Sequence, residues 1–440
     1  MTLLRALFAV SFLSGCALHA VSAATSPDDL LRIQGSNTIG AALAPALVEG
    51  LLGQQGFEAI ERQPGRAENE MIVQARQPDG RRVQMSIAAH GSSTGFRALR
   101  DGGAELAASS RPVKDNEVNA LAKRGDLRSA ASEQVIAIDG LAIIVHPSNA
   151  VRTLTVEQLA ALFSGTVRNW RELGGRDAPV RLYARDDQSG TFDTFKELVL
   201  APQGASLAEA QRFESNDRLS EAVMSDPQGI GFVGLASVGN TRALAISSGG
   251  AQALLPSPDS SATEDYPLAR RLFLYRAPGD ANPWAQALID YAQSQEGQRI
   301  VEQVGFIAQS LRAIPVEADA QMPADYRDLA RSAQRLSVNF RFQEGSAQLD
   351  NKALRDLQRV RDYLAGNEAE LVLVGFGDAK SDPSRARLLS RLRGETVRRA
   401  LTRLGVSRLQ VLGIGDDLPV ASNQAESGRI RNRRVEVWIR

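Results

Sequence analysis

Apolar residues recur along this chain with two spacings, and the alternation between them outlines a fold. Short apolar runs at 31–34, 141–145 and 180–184 read as strands. Stretches with one apolar face follow them: Leu43, Leu47, Leu51 and Leu52 after the first, Val156, Leu159, Leu162 and Phe163 after the second, and Phe192, Phe195, Leu198 and Val199 after the third. Pro147 ends the second strand and Gly165 stops its helix. A further strand ends in His90-Gly91-Ser92-Ser93-Thr94-Gly95 and leads into a helix through Phe96 and Leu99, while "GIGFVG" and "RRLFLYRA" read as short strands. Strands alternating with helices predict an α/β sheet covered by helices, and a span of about 290 residues predicts two lobes.

The pattern changes near residue 315. Residues 316–335 mix Pro, Ala and acids before a short helix-like run and read as a linker between domains at 24–315 and 336–440. In the second domain Val338, Phe340 and Phe342 alternate as in a strand, and Leu354, Leu357, Val360 and Leu364 share a helical face. Strand "LVLVGFG", a long helix over about 385–404, and strands "LQVLGIG" and "RRVEVWI" complete a small α+β unit.

Charge separates the two parts. The whole chain balances 51 basic against 51 acidic residues, yet 336–440 holds 19 basic and 13 acidic while 24–335 holds 31 and 38. Different partners are expected for the two. Residues 1–23 carry one positive charge, an apolar run and then small residues, the layout of an export signal. Two cleavage patterns are present: Val21-Ser22-Ala23, and Leu13-Ser14-Gly15-Cys16, which is similar to a lipoprotein site. Export is expected, with a lipid anchor at Cys16 under the second pattern. Cys16 is the only cysteine, so no internal disulfide is available and stability must come from the cores.

The chemistry concentrates in three loops that each lie between a strand and a helix: Gly35-Ser36-Asn37-Thr38, the stretch around Ser92, and Arg185-Asp186-Asp187-Gln188-Ser189-Gly190-Thr191. Helix starts expose backbone N–H groups at the positive end of the helix dipole, and Ser, Thr and Gly let an anion approach them. Such residues are also ordinary helix caps. Three such loops in one domain, one with an arginine four residues ahead of Ser-Gly-Thr, favour an oxyanion.

Taken in order, "LRIQGSNTIG", "HGSSTGFRAL", "AASSRPV", "DGLAIIVHPSN", "LTVEQLAALFSGTVRNW", "ARDDQSGTF" and "GIGFVG" resemble the landmarks of PstS-like phosphate-binding proteins of ABC transporters. The resemblance implies a two-lobed periplasmic binding protein that closes on phosphate or a similar oxyanion, with an ABC permease as partner. It implies ligands at Thr38, the Ile39 backbone, Ser92, Ser110, Arg185, Ser189, Gly190 and Thr191. Ser110 stands where well-known members carry an aspartate that accepts the phosphate proton, which leaves selection against sulfate open. Arg111 either enters the site or lies on the surface, and Asp186 and Asp187 are the other carboxylates at hand.

Gly91-Ser92-Ser93-Thr94-Gly95 also fits the G-x-S-x-G turn of serine hydrolases, but His146 is the one histidine after Ser93 and the triad is incomplete. No metal-ligand spacing is present and no cofactor is expected.

The second domain resembles the OmpA-like peptidoglycan-binding domain through "NFRFQEGSAQLD", "GFGD", "LSRLRGETVRRAL" and the closing Asn423, Gly428, Arg429, Asn432, Arg433 and Arg434. That resemblance implies contact with wall diaminopimelate through Asp378 and Arg393, a carboxylate for its ammonium and a guanidinium for its carboxylate. Phe376-Gly377 and Ser381 depart from the family pattern. The basic C-terminal residues lack aromatic interleaving, so no nucleic acid is expected. Together the two resemblances imply a non-enzymatic oxyanion receptor tethered to the wall. The alternative is a structural or adhesion module whose pocket has lost its ligand.

Overall fold

The computed structural model describes residues 27–187, 189–342, 348–366, 369–379, 382–424 and 426–440. The expected leader with Cys16, Gln188, part of the "FQEGSAQ" motif and Ser381 lie outside the described residues.

One sheet runs through both lobes of the first domain. Its strand order is Glu58–Pro64, Glu70–Arg76, Arg82–Ala88, Asp28–Gly35, Leu106–Ser109, Ala269–Arg276, Glu133–Val145, Gly229–Gly234, Arg181–Arg185 and Gln211–Phe213. The strand Glu133–Val145 belongs to both halves. Its first part pairs with Ala269–Arg276 and its last residues with Gly229–Gly234. One apolar core gathers Leu31, Leu47, Leu274 and Ile289, a second gathers Ile143, Phe163, Phe195 and Phe232, and the chain crosses between them near Asp139 and Arg270. The expected α/β class and two-lobed form are both present.

Sequence periodicity located the helices well. Helix Leu43–Gln54 buries Leu43, Leu47, Leu51 and Leu52. Helix Val156–Phe163 starts at a capping box in which Thr155 Oγ1 accepts from Gln158 N at 3.1 Å and Gln158 Oε1 accepts from Thr155 N at 2.9 Å. Two features differ from the expectation. The run read as a strand over 141–145 is the end of a 13-residue strand whose remainder is buried on both faces and therefore shows no alternation. The hairpin Glu58–Pro64 with Glu70–Arg76 was not anticipated, because its outer strand is almost wholly exposed and charged, as edge strands often are.

The second domain is a five-stranded sheet ordered Ala313–Ile314, Gln334–Arg341, Arg434–Ile439, Leu371–Phe376 and Leu409–Gly415, with helices Asn351–Tyr363 and Pro383–Arg403. Within the segment read as a linker, helix Ala324–Ser332 packs Tyr326, Leu329 and Ala330 against Val374, Phe376 and Trp438, and Tyr326 Oη donates to Glu436 Oε2 at 2.9 Å. Leu354, expected on the apolar face of its helix, is exposed, whereas Lys352 and Asp356 of that helix are buried.

That inversion has a cause. The polar face of strand Gln334–Arg341 and the start of helix Asn351–Tyr363 lie against the first domain. Asn339 Nδ2 donates to Thr263 O at 2.8 Å, Arg341 Nη2 donates to Glu264 O at 2.8 Å, Arg335 pairs with Asp265 at 2.6 Å, and Arg271 pairs with Asp350 at 2.7 Å.

Candidate functional site

Strands Arg82–Ala88, Asp28–Gly35 and Leu106–Ser109 run parallel and end side by side, so the loops that leave them cluster at their C-terminal ends. This is where open α/β sheets place their ligands. Ser36 N donates to Ala108 O at 2.8 Å and Gly91 N to Gly35 O at 2.7 Å, fixing the first two loops. Ser92 Oγ accepts from Ser110 N at 3.2 Å and lies 3.3 Å from Ser110 Oγ. The two serines are therefore tied to each other.

The second lobe presents the other half. Strand Arg181–Arg185 leads to Ser189, whose Oγ accepts from Thr191 N at 3.2 Å and Phe192 N at 3.4 Å and so caps helix Gly190–Phe195. The Arg185 guanidinium is held by one neighbouring loop: Nε donates to Phe213 O at 3.1 Å, Nη2 to Glu214 O at 2.6 Å and Nη1 to Asn216 Oδ1 at 2.6 Å. Burial lowers its pKa, and Asp186 and Glu214 oppose the shift.

Between the lobes is a cavity of about 780 Å3, and Thr38, Arg185, Ser189, Gly190 and Thr191 all line it. Five of the eight expected oxyanion residues are thereby brought together. Ile39 is fully buried beside Thr38, and Ser92 and Ser110 sit at the neighbouring strand ends, bonded to each other and not among the cavity's lining residues. The lobes meet closely here. A Cβ added to Gly190 would lie 2.2 Å from Thr38 Oγ1 and 2.4 Å from Thr38 N.

Two residues of this region escaped the sequence reading. Asp139 lines the cavity, and Arg270, its cross-strand neighbour, donates from Nη2 to Thr38 Oγ1 at 2.8 Å and to Gly190 O at 3.0 Å. Asp139 is a lone charge inside an apolar run, and that was the available signal for it; Arg270, next to Arg271, carried none. Asp193 lies near Arg270; burial raises its pKa and Arg270 counters this. Arg111 is taken by Glu117 at 2.7 and 2.9 Å, and its Nη2 donates to Ser93 Oγ at 2.9 Å. Asp187 pairs with Arg212. His146 Nδ1 engages Ser148 Oγ at 2.7 Å, which gives the hydrolase alternative no support.

The second candidate site is more tightly packed than the sequence implied. Asp378 follows strand Leu371–Phe376, is 1% exposed, and accepts from Arg433 Nη1 at 3.2 Å. Arg393 Nη2 lies 4.0 Å from Asp378 Oδ1, and its Nη1 donates to Phe376 O at 3.1 Å. Burial lowers the pKa of Arg393; Asp378 opposes that shift and Arg433 adds to it. The closing motif laces its own loop: Asn432 Oδ1 accepts from Val420 N at 2.9 Å and Ala421 N at 3.1 Å, and Arg434 lies 3.8 Å over the Phe376 ring. Among the described residues no group of three or more His, Cys, Asp or Glu forms a metal cluster, and no helix is long and apolar enough to cross a membrane.

A two-lobed sheet crossed by two strands, with small-residue loops converging between the lobes, defines a periplasmic-binding-protein class. The PBP superfamily domain profile matches residues 70–296 and the OmpA family profile residues 341–433. The phosphate-binding protein PstS of Pseudomonas aeruginosa is 30% identical over 242 residues, 51% of this chain and 74% of the relative. Protein SphX of Synechococcus elongatus is 29% identical over 253 residues, 54% of this chain and 73% of the relative. A solved structure, a possible phosphate binding protein from Planctomyces limnophilus, shares the fold with a TM-score of 0.51 at 22% identity, covering 70% of this chain and 98% of that one. The chain belongs to the PBP superfamily as a PstS-like member fused to an OmpA-family domain.

Proposed function

We propose that this chain is an exported phosphate receptor held non-covalently to peptidoglycan. The observation that carries the reading is the convergence of Thr38 from one lobe with Arg185, Ser189, Gly190 and Thr191 from the other on a single cavity. Neutral hydroxyl and amide donors with one guanidinium suit a small oxyanion, and closure of the lobes strengthens those bonds by excluding water. The phosphate-binding relatives support the choice of phosphate. Binding needs no bond to break, so the reading contains no catalytic step. Asp378 and Arg393 would take the diaminopimelate of the wall peptide, and the net positive charge of 336–440 suits an anionic envelope polymer. A receptor fixed to the wall cannot travel freely to an inner-membrane permease, which favours capture or sensing of phosphate over delivery.

One experiment tests both halves: sedimentation of the purified chain with peptidoglycan in radiolabelled phosphate. Protein and label should pellet together. Arg185→Ala should pellet without label, and Asp378→Asn should leave both in the supernatant. Wild-type protein that pellets without label would leave the wall-bound structural module as the better account.

A further inference from the structure

Three consecutive residues near the C-terminus have three different partners, and together they join the two candidate sites. Arg431 Nη1 donates to Tyr266 O and its Nη2 to Ala269 O, both at 3.3 Å, in the first domain. Asn432 Oδ1 accepts from Ala421 N at 3.1 Å and so holds the loop whose Ser422 N donates to Ser248 Oγ at 3.4 Å, again in the first domain. Arg433 Nη1 donates to Asp378 Oδ2 at 3.2 Å. The residue that orients Asp378 is thus two positions from a contact with the first domain.

That contact lies where the lobes are hinged. Tyr266 belongs to the second-lobe core, and Ala269 and Arg271 flank Arg270, at which the chain crosses between the lobes. The second domain also grips the other side of the crossing. Arg271 Nη1 donates to Asp350 Oδ2 at 2.7 Å, and Asn351 Nδ2 donates to Glu133 Oε1 at 3.2 Å. Arg359 Nη1 donates to Gln309 Oε1 at 3.1 Å, and Gln309 Nε2 to Val135 O at 3.0 Å in the first lobe. All of these bonds coexist with lobes apposed across the cavity, where Arg270 Nη2 joins Thr38 Oγ1 to Gly190 O. Rotating one lobe away would break the set on one side. Polar groups as buried as Asn339 and Arg341, 4% and 5% exposed, are costly to leave without partners.

We propose that the second domain clamps the hinge in its closed form, so that phosphate in the cavity and peptidoglycan at Asp378 and Arg393 each raise the affinity of the chain for the other. The proposal rests on the receptor and wall-binding reading above. Phosphate, bonded to both lobes, favours the apposed form. That form keeps Arg431 and Ser422 seated, and the seated helix Glu426–Asn432 fixes Arg433 against Asp378 before a wall peptide arrives. The effect is reciprocal because both ligands draw on one equilibrium.

The test is sedimentation of the full chain, freed of bound anion, over a range of peptidoglycan concentrations, with saturating inorganic phosphate or with chloride at the same ionic strength. Phosphate should lower the peptidoglycan needed for half-maximal pelleting by about 5-fold or more, the lower end of coupling between sites. Arg431→Met occupies similar space without the two hydrogen bonds. It should bind each ligand alone, and its pelleting curve should not move with phosphate. A wild-type curve that stays in place or shifts to higher peptidoglycan, while calorimetry shows phosphate bound, overturns the proposal and leaves the receptor reading intact. A wild-type shift retained in full by Arg431→Met also overturns it. Wild type that fails to bind phosphate, or fails to pellet, removes that half of the reading and the proposal with it. Should circular dichroism show Arg431→Met unfolded, Asn351→Ala, which removes the bond to Glu133, is read by the same shift.

Discussion

Two arginines near the cavity show how the same residue type divides between structure and recognition. Arg111 is fully engaged by Glu117 and by Ser93 Oγ, and stacks 5.4 Å from the Phe96 ring centroid. Arg185 is held from one side by Phe213 O, Glu214 O and Asn216 Oδ1, and its remaining contacts, Thr191 Oγ1 at 3.4 Å and Asp186 at 3.7 Å, are long. Those long contacts are the ones an anion would join. A lysine keeps the charge at position 185 but not the planar fork that spans three acceptors. Arg185→Lys should therefore weaken phosphate binding by about 10- to 100-fold, the cost of losing charge-assisted bonds. Arg111→Ala should leave affinity unchanged while lowering the melting temperature. Parallel calorimetry and thermal melts of the two variants would separate the roles, and equal losses of affinity would assign Arg111 to the site as well.

Two helix starts, Asn37–Gly40 and Gly190–Phe195, face each other where the lobes meet. Gly190 is the first residue of its helix, and its added methyl would overlap Thr38. Gly190→Ala should thus keep the fold and hold the lobes apart. Phosphate should no longer compact the protein in small-angle X-ray scattering, and affinity should drop by at least about tenfold, as for loss of one or more hydrogen bonds. Phosphate-induced compaction equal to wild type would show that the loops yield. The strand-loop-helix units around this contact were legible in the sequence because periodicity and capping are local. Asp139 and Arg270 were not, since their meaning lies in a pairing across 131 positions that only the sheet register creates. Helix Ala324–Ser332 passed for a linker for a related reason: its apolar face is short, and the surface it covers is formed by strands more than forty residues away.

At the scale of the molecule, the two domains are joined by buried charges as well as by the chain. The second domain contacts residues on both sides of the lobe crossing. Asn351 Nδ2 donates to Arg128 O at 2.9 Å and Glu133 Oε1 at 3.2 Å, and Arg431 donates to Tyr266 O and Ala269 O at 3.3 Å. At the centre of this contact burial alone would raise the pKa of Glu264, but Arg271, Lys352 and Arg341 together lower it from 4.5 to about 2. Two of those three cations belong to the second domain. A carboxyl depressed in this way stabilises the folded chain fully above its unfolded value, and the contribution is lost as the pH falls from 4.5 through 2. Glu264→Gln leaves three cations, two of them buried, short of an anion and should cost about 3 kcal/mol at neutral pH, the scale of breaking a buried pair. In urea unfolding the gap between wild type and variant should be widest at pH 7 and close as the pH is lowered toward 2. A gap that stays constant across that range would mean that the shape of the side chain, and not its charge, joins the first domain to the second.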